Sequence, residues 1–233
     1  MSEPLPIVLI PGLLASPRLY LEQLPELWRL GPTTIADHKT DDSVRGIARR
    51  VLASAPPRFA LIGLSMGGYI SFEILRQDPT RVVKLALLDT SARPDTPEQS
   101  EQRQLQVEIA RTRGLTEVAD ALFMRCVHRD RRSDERLRGI IRMMATEVGV
   151  EGFARQQAAI RGRPDSRPVL ASINCPTLVL VGDGDELTPP ERATEIASGI
   201  AGARLVTVPD SGHLSALEQP VPVTRALLEL LQS

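Results

Sequence analysis

Phe59-Ala60-Leu61-Ile62-Gly63-Leu64-Ser65-Met66-Gly67-Gly68 carries an apolar run straight into a serine set between glycines. Phe59 to Ile62 is a continuous apolar run, as a strand shows when both faces of its sheet are covered. Gly63 to Gly68 follows at once, and a helix is expected from there to about Gln77. A serine between glycines at a strand-to-helix turn, G-x-S-x-G, has the pattern of a nucleophile elbow. Glycines admit close backbone approach, and the sharp turn lifts the serine hydroxyl clear of the sheet edge. The competing reading is a glycine-rich turn with an idle serine.

The alternation of short apolar runs and amphipathic segments extends outward from this element. Ile7 to Ile10 reads as a buried strand closed by Pro11-Gly12, and Leu85 to Leu88 as another ending at Asp89. Thr177 to Val181 and Leu205 to Val208 are the later strands, and a strand-like segment precedes His38. Val44, Ile47, Ala48, Val51 and Leu52 recur at helical spacing, as do Ala193, Ile196, Ala197 and Ile200, and then Val223, Ala226, Leu227, Leu230 and Leu231. Strands alternating with helices of this length imply an α/β, doubly wound, parallel sheet. From about Ala92 to Pro168 the strand signal stops. Stripes at Leu115 to Cys126 and at Leu137 to Val148, and a third suggested by Phe153, Gln157 and Ile160, imply a helical insertion. The expected division is a core of residues 1–91 and 169–233, with residues 92–168 as a helical cap over Ser65. Its apolar residues, Met143 among them, are expected in a core.

Composition bounds the function. The 233 residues carry 28 Lys+Arg against 29 Asp+Glu, a net charge of -1, which lacks the concentrated positive charge of a nucleic-acid binder. Cys126 and Cys175 have no metal-ligand spacing and read as reduced, mostly buried thiols. No cofactor or metal is expected. The start, MSEPLPIVLIPG, has no basic n-region, and no apolar run approaches a membrane span, so a cytoplasmic protein is the expectation. All but Lys39 and Lys84 of the basic residues are arginines, and 15 of those fall between Arg93 and Arg167, against 12 acids. Most belong on solvated helix surfaces, while one or two are candidates for holding a substrate carboxylate.

A serine hydroxyl needs a base. His38, His128 and His213 are available, and only His213 follows the last strand, where an open parallel sheet gathers its reactive groups. Asp183, Asp185 and Glu186 follow the penultimate strand, with Asp89 as a rival after an earlier one. The order Ser65, acid, His213 matches one of the known triad lineages.

With these residues the chain resembles the α/β-hydrolase superfamily, in its compact bacterial serine esterase-like branch, over nearly everything outside the insertion. The resemblance to G-x-x-D-x-x-x-P at Gly182, Asp185 and Pro189 selects Asp185 as the acid. Gly212-His213 followed by Glu218-Gln219-Pro220 matches the family's G-H and E-x-P. The loop after the first strand, usually H-G, reads Pro11-Gly12-Leu13-Leu14, which implies the Leu13 and Met66 amides as oxyanion-hole donors. Proline replaces the usual histidine at Pro11, and without the two leading strands of larger members about six strands are expected. The implied activity is cleavage of small-molecule carboxylic esters, thioesters or lactones by a Ser65–His213–Asp185 triad through an acyl-enzyme. Same-fold alternatives are an acyltransferase, a C–C bond lyase of the menaquinone-pathway type, a perhydrolase, and a receptor-like ligand-binding module.

Overall fold

The computed structural model describes residues 4–233. Its strands are β1 (Ile7–Ile10), β2 (Thr33–Ile35), β3 (Phe59–Leu64), β4 (Val82–Leu88), β5 (Thr177–Gly182) and β6 (Arg204–Val208). They form one six-stranded sheet in the order β2-β1-β3-β4-β5-β6, with every neighbouring pair parallel. The α-helices are α1 (Leu24–Leu30), α2 (Val44–Ser54), α3 (Met66–Gln77), α4 (Pro97–Arg113), α5 (Leu115–Cys126), α6 (Glu135–Arg161), α7 (Arg167–Leu170), α8 (Pro190–Gly199), α9 (Ser215–Glu218) and α10 (Pro220–Gln232).

Helices on both faces explain why β1, β3 and β5 are buried along their whole length and, Thr177 apart, carry no polar side chain. Successive side chains of one strand enter different cores. Leu9, Ile62, Leu88 and Leu180 pack with Leu27 of α1 and Leu227 of α10; Ile10, Leu61, Leu87 and Val179 pack with Ile47 of α2, Ile70 of α3 and Ile196 of α8. Each fully buried aliphatic side chain of this kind contributes about 1.5–3 kcal/mol by leaving water. The helices follow their sequence patterns: α2 buries Val44, Ile47, Ala48 and Val51, and the Ser43 hydroxyl caps it by accepting from the Gly46 N–H at 3.2 Å. β6 differs, with only Val208 buried, because it is an edge strand.

Between β4 and β5 the chain runs through α4 to α7 and forms no strand. α5 and α6 bury Phe123, Leu137, Ile141 and Met144 as their stripes imply, but Met143 is exposed, contrary to expectation. Phe153, Gln157 and Ile160 lie on a helical segment of their own, beyond the kink that divides the run in two. α6 is thus two helices in line, meeting at Gly149, whose backbone at φ 72° and ψ 164° is not helical. α4 carries no apolar stripe and buries only Ala110; the Thr96–Gln99 capping box, with Pro97 in its first turn, marks its start.

From β1 the chain steps outward to β2, then returns to the other side of β1 as β3. The carboxyl ends of β1 and β3 therefore lie side by side at a topological switch point, where open α/β sheets place their sites. α3 starts against this edge so closely that a Cβ on Gly67 would lie under 3.0 Å from the Ile10 carbonyl. Gly67→Ala is expected to cost about 3 kcal/mol, since backbone must move. Gly139→Ala in α6, where a Cβ meets nothing within 4 Å, is expected to add about 0.5–1 kcal/mol. Urea melts of the two variants check both signs.

Candidate active site

Ser65 is the junction between β3 and α3. Its backbone sits at φ 55° and ψ -112°, a conformation that an L-residue adopts only under restraint. The restraint comes from all sides. The Ser65 N–H donates to the Leu88 carbonyl at 2.9 Å, and its own carbonyl accepts from the Gly68 N–H at 2.9 Å and the Thr90 hydroxyl at 2.7 Å. A Cβ on Gly12 would stand 3.3 Å from that of Ser65, so the loop after β1 touches the serine.

The His213 Nε2 lies 2.8 Å from the Ser65 Oγ, and its Nδ1 lies 2.8 Å from the Asp185 Oδ2. An ionised carboxylate only accepts, so Nδ1 carries the proton and Nε2 presents its lone pair to the serine hydroxyl. Asp185 is oriented in turn. Its Oδ1 accepts from the Leu187 and Thr188 N–H groups at 2.8 and 2.9 Å, and its Oδ2 accepts from the Thr188 hydroxyl at 2.7 Å. All three residues are buried, Ser65 at 8%, His213 at 4% and Asp185 at 3% exposure.

Charges in this setting shift one another. Burial works against a charged His213, yet the Asp185 charge and hydrogen bond outweigh it and raise the imidazole pKa. Burial likewise works against the Asp185 charge, and His213 with the Thr188 donors lowers its pKa overall. Asp89 behaves differently. Burial and the nearby Asp185 charge push it up to about 8, so it is largely protonated at neutral pH. It accepts from the Gly182 N–H at 2.9 Å and is hydrogen-bonded to the Ser215 hydroxyl, which ties the ends of β4 and β5 to α9.

The other sequence candidates lie elsewhere. Asp183 is exposed and accepts from the Ser211 N–H at 3.2 Å, and exposed Glu186 pairs with Arg132 at 2.7 Å. His38 is buried with its Nε2 2.8 Å from the Gly12 carbonyl, and His128 caps the turn at Arg129–Arg131. Met66 follows Ser65 directly and Leu13 follows Gly12, which touches Ser65; among the described residues neither the Leu13 nor the Met66 amide donates a hydrogen bond. The cysteines are free and half-buried, less enclosed than expected.

Several supporting contacts brace the site, and of the side chains that make them only Glu218 belongs to a motif quoted above. Gln156 of α6 accepts from the Leu14 N–H at 3.0 Å and places its amide nitrogen 3.0 Å from the His38 Nε2, so the insertion grips the loop after β1. Glu218 accepts from the Gly212 N–H at 3.0 Å and the His128 N–H at 2.7 Å, and the His213 N–H donates to the Cys126 carbonyl at 2.7 Å. The imidazole loop is thereby held to the end of α5. A cavity of about 460 Å³ opens over these groups, with Leu13, Ser65 and His213 lining it from the sheet edge and Leu122, Cys126 and Ile160 from the insertion. Among the described residues no His, Cys, Asp or Glu cluster is placed to hold a metal, and no helix is long and apolar enough to cross a membrane.

A six-stranded parallel sheet with this elbow at its switch point defines an α/β-hydrolase fold. The chain belongs to the alpha/beta hydrolase family, which it matches over residues 7–226. Among solved structures, an esterase from Thermogutta terrifontis with malate bound is similar at 30% identity and a TM-score of 0.88, covering 100% of this chain and 91% of that one. The enol-lactonase from Burkholderia xenovorans LB400 is similar at 27% identity and a TM-score of 0.89, covering 100% and 93%. The pimeloyl-[acyl-carrier protein] methyl ester esterase of Nitrosomonas europaea is 25% identical over 231 residues, 86% of this chain and 84% of the relative.

Asp89→Asn replaces a carboxyl that is largely neutral at pH 7 and is expected to fold. The raised native pKa stabilises wild type below about pH 4, the unfolded carboxyl value, and that contribution is lost as pH rises through about 8. Wild type should therefore lose stability relative to Asp89→Asn between these limits and level off above them, as read by denaturant melts across the range.

Proposed function

We propose that this chain is a serine hydrolase that cleaves carboxylic esters, thioesters or lactones through an acyl-enzyme. The observation that carries this reading is the relay of two 2.8 Å contacts, from Ser65 to His213 and from His213 to Asp185. The names of the similar proteins, two esterases and an enol-lactonase, support the same class of bond.

The geometry performs the reaction in two halves. Ser65 Oγ attacks the carbonyl carbon while His213 Nε2 takes its proton. Asp185 keeps the imidazole in the tautomer that can accept, and its charge stabilises the imidazolium. The carbonyl oxygen becomes an oxyanion and receives the free Leu13 and Met66 N–H groups; Met66 opens α3, whose dipole favours negative charge there. In other hydrolases one such donor is worth about 2.7–4 kcal/mol. The imidazolium returns its proton to the leaving oxygen or sulfur, which departs or, in a lactone, stays attached to the acyl group. Water then gives a proton to His213, attacks the acyl-serine, and releases the acid while Ser65 regains its proton. The insertion forms the cap of this site, closing the cavity opposite the sheet edge.

Ser65→Ala is expected to lower kcat for aryl acetate hydrolysis by roughly 10⁴–10⁶-fold with an unchanged melting curve. Full retained activity would remove the nucleophile. Asp185→Asn should cost about 10²–10⁴-fold, and Asp183→Asn should stay close to wild type; the opposite ranking contradicts the choice of acid. A third expectation concerns pH. Because the raised imidazole must be neutral to act, kcat/KM should fall as pH drops through a value above the ordinary 6.5, as a full pH–rate profile would show.

A further inference from the structure

The wall of the cavity above Ser65 holds more positive charge than its own acids neutralise. Arg93, Arg103, Arg125, Arg163 and Arg192 line it, against Asp95 and the exposed Glu98. Arg93 is neutralised from outside by Glu195 at 2.8 Å. Asp95, with its side chain 2% exposed, is shared by two guanidiniums, Arg103 at 2.6 Å and Arg163 at 2.7 Å, so one of those charges has no counter-ion. Arg125 and Arg192 make no ion pair or side-chain hydrogen bond among the described residues.

Arg163 is the most fixed of the set. Its guanidinium carbon lies 4.2 Å from the Tyr69 ring centroid. Its Nε donates to the Arg93 carbonyl at 3.1 Å, and its Nη1 donates to Asp95 and to the Ile160 carbonyl at 2.9 Å. No described residue accepts from the Nη2, on a residue only 9% exposed that lines the cavity. A buried guanidinium with free donors and a shared counter-ion is incomplete by itself, since buried charge is costly unless paired. Tyr69, on which it stacks, stands one turn of α3 beyond Ser65, a rise of roughly 6 Å.

We infer that the substrate carries, besides its scissile bond, a free carboxylate a few carbons away, and that Arg163 Nη2 grips it with Arg125 and Arg192 supplying long-range attraction. This rests on the serine-hydrolase reading and names the substrate class of that site. A hydrogen bond to a charged group contributes about 1.5–3 kcal/mol, or about 10–150-fold in affinity.

The test compares monomethyl glutarate with methyl glutaramate, its neutral carboxamide isostere, each normalised to its alkaline hydrolysis rate. The expected kcat/KM ratio is about tenfold or more in favour of the anion, falling toward unity in Arg163→Gln. If that variant does not fold, wild type supplies the answer through inhibition of methyl glutaramate hydrolysis, which glutarate should inhibit competitively at concentrations where glutaramide does not. A ratio of one or less, or equal inhibition by the two, overturns the carboxylate inference while leaving the hydrolase reading intact. Failure to cleave either ester or aryl acetates, together with no fluorophosphonate labelling, brings down the hydrolase reading and this inference with it.

Discussion

The amino end of α3 is pressed against the carboxyl end of β1, and the site depends on this contact. Only glycine fits at Gly67, beneath the Ile10 carbonyl, and a side chain at Gly63 would strike the Gly67 backbone. The same compression holds Ser65 at φ 55°, a conformation costing about 1–3 kcal/mol that the surrounding hydrogen bonds sustain. What the strain gains is position. The hydroxyl stands at the sheet edge, against the loop that carries Leu13, and within 2.8 Å of the imidazole.

Much of the core was legible in the residues themselves. Strands buried on both faces are almost continuously apolar, so Ile7–Ile10, Phe59–Ile62 and Thr177–Val181 could be read as strands, the last two falling one or two residues short of their full extent. α4 was not legible, because a helix that buries only Ala110 has no apolar stripe to betray it, and its capping box was the one available signal. The break at Gly149 was legible in outline, because one apolar stripe ends at Val148 and the next begins at Phe153. At the site, Ser65 and His213 could be found from their places after strands. The choice of Asp185 over Asp183 came from resemblance, and the structure supplies a physical reason: Asp183 faces solvent, whereas Asp185 turns inward with three donors holding it.

Most contacts that brace the site are long-range and leave no local pattern, the Glu218 bond to Gly212 within the E-x-P motif apart. Gln156, far along α6, is bonded to the Leu14 amide, and Glu218 joins Gly212 to His128 across the insertion. Through these bonds the helical insertion does more than cover the cavity, because it also fixes the two loops on which Leu13 and His213 ride. Asp89 adds a third brace, and its protonated state removes a negative charge that would otherwise stand beside Asp185. An acid that seemed a rival for orienting the imidazole thus works as a neutral hydrogen-bonding tie.

On the proposed reading His213 makes Ser65 a nucleophile. Reaction with a fluorophosphonate, followed by peptide mapping by mass spectrometry, measures this. The expected result is one phosphonyl group per chain, on Ser65 alone, with the rate collapsing in His213→Ala while that variant stays folded. Labelling that misses Ser65, or that proceeds as fast without the imidazole, would contradict it.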